Sequence, residues 1–209
     1  MRTELTIALL SSEGRLLKET KQPSRSFVLK FLHLLYILFT ETDQSINDIS
    51  NTARSVTVRG WNNLQLASKG GAHVELATYN NPDQATSTYT NLIGNSIGIQ
   101  VGSGNAAATP TDYALQTKIA HGQAAGQLVY AGCEVEPPVI SAPNATMLIR
   151  GYFPNKSGGN VTVWEVGMYA AGIANGGFAF LICRDVLGAA ITVAATQLLR
   201  VEYTLQVTV

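Results

Sequence analysis

Leu199-Arg200-Val201-Glu202-Tyr203-Thr204-Leu205-Gln206-Val207-Thr208-Val209 alternates apolar and polar residues over its whole length. Leu199, Val201, Tyr203, Leu205, Val207 and Val209 share one face, and Arg200, Glu202, Thr204, Gln206 and Thr208 the other. A period of two marks a strand with one buried side and one wet side. A sheet built from such strands needs a second layer over its dry face.

The same pattern runs upstream. Residues 147–153 alternate Leu148 and Arg150 with Ile149 and Gly151, and Asn155-Lys156-Ser157-Gly158-Gly159-Asn160 is rich in turn formers. Residues 161–169 return, Gly172 to Gly177 turn again, and residues 178–185 form another strand. Gly188-Ala189-Ala190 is expected as a break before a short strand at 191–193. Residues 97–102 alternate clearly, while 55–59 and 74–79 are weaker strands and 80–92 a polar loop. Short strands with regular turns point to an antiparallel β-sandwich over residues 51–209.

The first 50 residues read as a separate unit. Thr3, Leu5, Ile7 and Leu9 lie two apart, Ser11-Ser12-Glu13-Gly14 is a turn, and 15–20 return. Pro23 ends that hairpin, and Ser24 or Ser26 can cap a helix. The helix is Ser26 to Thr40, interrupted only by Lys30 and His33. Phe27, Phe31, Leu34, Leu35 and Leu38 make one face, and Val28, Leu32, Tyr36 and Phe39 a second. A helix apolar on most sides must be covered on most sides. It is shorter than the roughly 20 residues of a membrane span. Phe27, Phe31, Leu34, Leu35, Leu38 and Phe39 are therefore expected to pack on the hairpin or sandwich and on a neighbouring subunit. The fold class is mainly β with one helix, an α+β arrangement.

Composition narrows the function. Acidic and basic residues balance at 14 each, which argues against a broad nucleic-acid-binding face. Charged residues make up 13% of the 209 positions, about half the usual ~25%, and interface cores are depleted in charge. That is an assembly signal. The first 20 residues lack the pattern of a secretory signal, so the sequons at Asn144, Asn155 and Asn160 carry little meaning. Cys133 and Cys183 have no metal-type spacing and read as buried thiols, with a single bridge left open.

No constellation demands catalysis. Val101-Gly102-Ser103-Gly104-Asn105-Ala106-Ala107 resembles a dinucleotide fingerprint, but Thr109-Pro110 delays any helix and βαβ alternation is missing. It reads as a turn. His33, His73 and His121 are scattered, and Glu134 and Glu136 sit at a loop edge beside Pro137-Pro138. Glu165, Arg184 and Asp185 lie in or beside apolar strands, where an unpaired charge would be costly. An Arg–carboxylate pair, within or between chains, is the expected solution. No cofactor or metal is expected.

A resemblance covers about two-thirds of the chain. It lies in Arg150-Gly151-Tyr152-Phe153-Pro154-Asn155-Lys156-Ser157-Gly158, then Val161-Thr162-Val163-Trp164-Glu165-Val166-Gly167-Met168-Tyr169, then Arg184-Asp185, Ile191-Thr192-Val193 and the final strand. Upstream, Ile99-Gln100-Val101-Gly102-Ser103-Gly104 and Thr111-Asp112-Tyr113-Ala114-Leu115 belong to it. Together they resemble a block in virion structural proteins of tailed bacteriophages. Two departures are Pro154 and the stretch Gln197-Leu198-Leu199, which lacks a Gly often present in that final turn. The resemblance implies a non-enzymatic component of the neck, tail or capsid-associated layer, assembled in the host cytoplasm. Its partners would be other copies of itself and neighbouring virion proteins, in a ring with closed symmetry. Two alternatives remain: a receptor- or glycan-binding fibre or decoration protein, motivated by the polar loops at 80–96 and 141–160, and a virion-associated hydrolase.

Overall fold

Arg2–Leu10 (β1) and Leu16–Pro23 (β2) form the expected hairpin, with Ile7 opposite Thr20 and Glu4 opposite Pro23. In the turn, the Ser11 amide donates to the Arg15 carbonyl at 2.8 Å, and Gly14 takes φ 79°. The structure is a computed structural model that describes residues 2–24, 27–29, 31–33, 44–59, 65–68, 72–75, 98–172 and 178–208.

The hairpin joins the C-terminal strand directly. β1 pairs antiparallel with Leu198–Thr208 (β13), from Arg2 opposite Gln206 to Leu10 opposite Leu198. One sheet thus takes strands from both sides of residue 50. β13 pairs next with Asn144–Pro154 (β10), which carries the short strands Gly132–Val135 (β8) and Val139–Ser141 (β9). The order is β2-β1-β13-β10-β8, with β9 also on β10.

The second sheet runs Phe178–Val193 (β12), Val161–Gly172 (β11), Ala72–Glu75 (β6), Gln65–Ser68 (β5), Ala53–Arg59 (β4) and Gln44–Asn47 (β3). Gly98–Gly102 (β7) pairs with the other end of β11. The expected break at Gly188-Ala189-Ala190 falls inside one strand, 178–193, as an interruption of its ladder: Val186 lies opposite Glu165 and Ile191 opposite Val163, with 187–190 between them unpaired to β11. Its register against β11 shifts near Val163 and again near Met168. The irregularity is absorbed as bulges inside the strand.

The fold is mainly β, two antiparallel sheets packed face to face. Leu5, Ile7, Ile149, Phe153, Leu199, Val201 and Tyr203 of the first sheet meet Val163, Val166, Phe180 and Val193 of the second in one core. Leu199, Val201 and Tyr203 are fully buried, as their alternation requires.

Of the expected helix, the backbone is helical at Leu29 and Phe31–His33. Phe27 and Phe31 stack with ring centroids 4.7 Å apart and pack on the core. Val28 is buried, whereas Leu29 and Leu32 are exposed. Leu34, Leu35, Leu38 and Phe39 lie outside the described residues, as does the polar loop at 80–92. Among the described residues, no helix is long and apolar enough to cross a membrane.

Candidate functional site

The outer face of the second sheet carries the densest polar arrangement. Glu165 stands on β11 and Arg184 on β12, where Arg184 lies opposite Gly167, two residues along from Glu165. The Arg184 Nε donates to Glu165 Oε2 at 2.7 Å, and both side chains are essentially inaccessible. Burying two charges is tolerable only when the remaining polar atoms are also satisfied. Here they are. Glu165 Oε1 accepts the amides of Thr117 at 2.8 Å and Gly104 at 3.1 Å, and Oε2 accepts the amide of Gln116 at 3.0 Å. Arg184 also donates to Asp112 Oδ2 at 2.8 Å and to the Ala106 carbonyl at 2.9 Å.

These bonds lay residues 103–117 over the sheet. The loop is an irregular layer, and Asp112 closes a turn at its centre. Asp112 accepts the amide of Thr109 at 3.0 Å and its hydroxyl at 2.7 Å, so the expected short helix or turn at 109–115 is a turn. Burial pushes the Asp112 carboxyl up, but the Thr109 and Arg184 bonds outweigh it and hold the group below its ordinary range. Burial likewise disfavours the charge on Arg184, and its bonds to Asp112 and Glu165 more than restore it. The Leu115 amide donates to Tyr169 Oη at 2.6 Å, and Tyr130 Oη donates to the Ile119 carbonyl at 2.8 Å.

The glycines of the fingerprint-like stretch now have a physical reason. A Cβ on Gly102 would stand 2.4 Å from Glu165 Oε1 and 2.7 Å from the Thr117 carbonyl. A Cβ on Gly104 would stand 2.6 Å from the same carboxylate oxygen. Both positions let the backbone approach a carboxylate of the chain itself, where the fingerprint would approach a pyrophosphate.

Asp185 points the other way, into the space between the sheets. It accepts Ser24 Oγ at 2.7 Å and Tyr203 Oη at 3.0 Å, joining the hairpin's end, β12 and β13. The same corner is sealed along β12. The Val28 amide donates to the Ile182 carbonyl and the Ile49 amide to the Ala179 carbonyl, each at 3.0 Å. The Gln22 amide side chain donates to the Val186 carbonyl at 3.2 Å. Arg184 and Asp185, expected at an interface, are thus both buried within the chain and bonded to its own residues.

The remaining candidates are apart from this cluster in their bonding. Glu134, Glu136 and Glu202 all pair with Arg150 on the outer face of the first sheet. Tyr152 donates to Glu134 at 2.6 Å, and burial with that carboxylate pushes its hydroxyl up to about 12. His121 Nδ1 accepts the Tyr130 amide at 3.0 Å. His33 is half-buried in the helical turn, and His73 lies on β6. Cys133 and Cys183 are free and buried, and burial pushes their thiols up to about 11 and about 12. Among the described residues, no three His, Cys, Asp or Glu side chains form a metal-binding group.

The cluster holds a loop in place and leaves little room for chemistry. Every Glu165 oxygen already accepts from the protein, and no solvent reaches it. The sequence points to Glu165 and Arg184 through their apolar strand context, but not to Asp112 or to the three backbone amides, which arrive from a loop of unknown path. Comparison with protein-family models, with curated proteins and with solved structures finds no match for this chain.

Proposed function

We propose that this chain is a non-enzymatic structural component of a tailed bacteriophage particle, in its neck, tail or capsid-associated layer. One observation carries the reading. The segments that bear the resemblance are distant in sequence, yet Gly102, Gly104, Asp112, Leu115, Glu165, Gly167 and Arg184 meet around one buried ion cluster. That cluster fastens a loop to a sandwich, which supports an architectural reading of the likeness. A surface poor in charge suits a component covered by other copies of itself and by neighbouring virion proteins. Quantitative mass spectrometry of gradient-purified particles tests this. The chain is expected at a fixed ratio to the other particle proteins. Recovery only in the unassembled fraction would overturn the proposal.

A second reading is a glycan-binding decoration or fibre protein. It is favoured by an open cleft of about 730 Å³ at the turn end of the sandwich, lined by Ser11, Ser12, Tyr152, Lys156 and Thr196 among others. An aromatic face beside hydroxyls and one cation suits a sugar ring. Glycan-array screening of wild type and Lys156→Ala distinguishes the two: binding lost in the variant supports this reading, and no binding removes it.

A further inference from the structure

We infer that β2 pairs antiparallel with β2 of a second copy, in the register centred on Thr20. Three observations lead there. First, β2 is the end strand of its sheet among the described residues, paired only with β1. Second, its residues are exposed except for half-buried Gln22, and Leu16 and Leu17 are 53% and 43% accessible. An end strand offers a row of backbone donors and acceptors to a partner strand.

Third, the side-chain order is self-complementary. Two copies related by a two-fold axis perpendicular to the sheet keep the same face up, so residues directly opposite must come from the same face. Centring on Thr20 sets Thr20 against Thr20 and Glu19 against Lys21 of the other copy, twice. Glu19 and Lys21 lie opposite Ala8 and Thr6 of β1, on the outer face, and already approach each other at 3.6 Å. Opposite charges and Thr–Thr pairs are favourable cross-strand neighbours. Neighbouring registers fail. Centring on Lys18, Glu19 or Lys21 places like charges face to face. Charged residues and a terminal proline normally protect an end strand from pairing. Among the registers centred on residues 18 to 21 they leave the one on Thr20, and Gln22 keeps its bond to the Val186 carbonyl of its own chain.

The inference shares with the proposed function only the requirement that copies meet. It is tested on the full chain by sedimentation velocity from 1 to 100 µM, with Glu19→Lys and Lys21→Glu as variants. The wild type is expected to form a dimer that weakens with salt. Each variant alone is expected to lose at least tenfold in dimer affinity, since like charges then oppose. An equimolar mixture of the two variants is expected to recover the dimer, because the lysine pair of one meets the glutamate pair of the other. Recovery on mixing also shows that the variants fold. A wild type that stays monomeric throughout overturns the inference, as does a mixture no tighter than either variant alone. Variants that associate like the wild type also overturn it, and leave the particle reading to its own test.

Discussion

Glu165 has no solvent contact and no oxygen without a donor, so its environment is fixed by what the chain supplies. Removing Arg184 leaves that carboxylate buried with amides alone, and the loss expected for breaking a buried pair is about 3–5 kcal/mol. Arg184→Met should therefore lower stability by about that amount in urea unfolding. Glu165→Gln should cost a comparable amount, since an amide NH2 would face backbone donors. The pair should be strongly non-additive in a double-mutant cycle. Asp112 adds a pH dependence. Its carboxyl is held below the ordinary value of 3.8, so its contribution is complete above that pH and is lost as pH falls through the lower folded value. Asp112→Asn should reduce stability at neutral pH and flatten the acid decline below about pH 4, read from unfolding midpoints across pH. Thr196 is a different case. It takes φ 70°, an uncommon conformation for a β-branched residue, and its amide is held by the Asn155 carbonyl at 3.0 Å. Thr196 stands just before Gln197-Leu198-Leu199, in the turn that leads into β13. Thr196→Gly should raise stability by up to about 1 kcal/mol, measured the same way.

At the level of elements, residues 103–117 are tied down by side chains more than by a ladder. Hydrogen exchange should show it. In Arg184→Met, the amides of Gly104, Gln116 and Thr117 should exchange markedly faster while β1 and β13 keep their protection. The elements also show what the sequence could and could not disclose. The hairpin at the start and the strand at 198–208 were legible because alternation and turn residues are local properties. β8 and β9 were not, being four and three residues long, with β9 wholly exposed. Gly188 looked like a break because glycine usually weakens a strand, and residues 187–190 do lack partners on β11, although the backbone stays extended through them. The Glu165–Arg184 pair was legible because charge in an apolar strand needs a partner. Asp112 was hidden because a loop's path depends on tertiary bonds, and Gly102 and Gly104 fitted a phosphate turn equally well by pattern alone.

Across the whole molecule, polar side chains are arranged by layer. One cluster fastens a loop outside the second sheet, Asp185 joins the two sheets, and Arg150 gathers three carboxylates outside the first. The buried charges are thus committed to the fold, while those of β2 stay exposed. The proposal that joins these scales is that the chain meets copies of itself. Light scattering of the purified chain at micromolar concentration tests this most directly. A molar mass of two or more whole chains is expected, and a well-folded species that remains strictly monomeric would contradict the proposal.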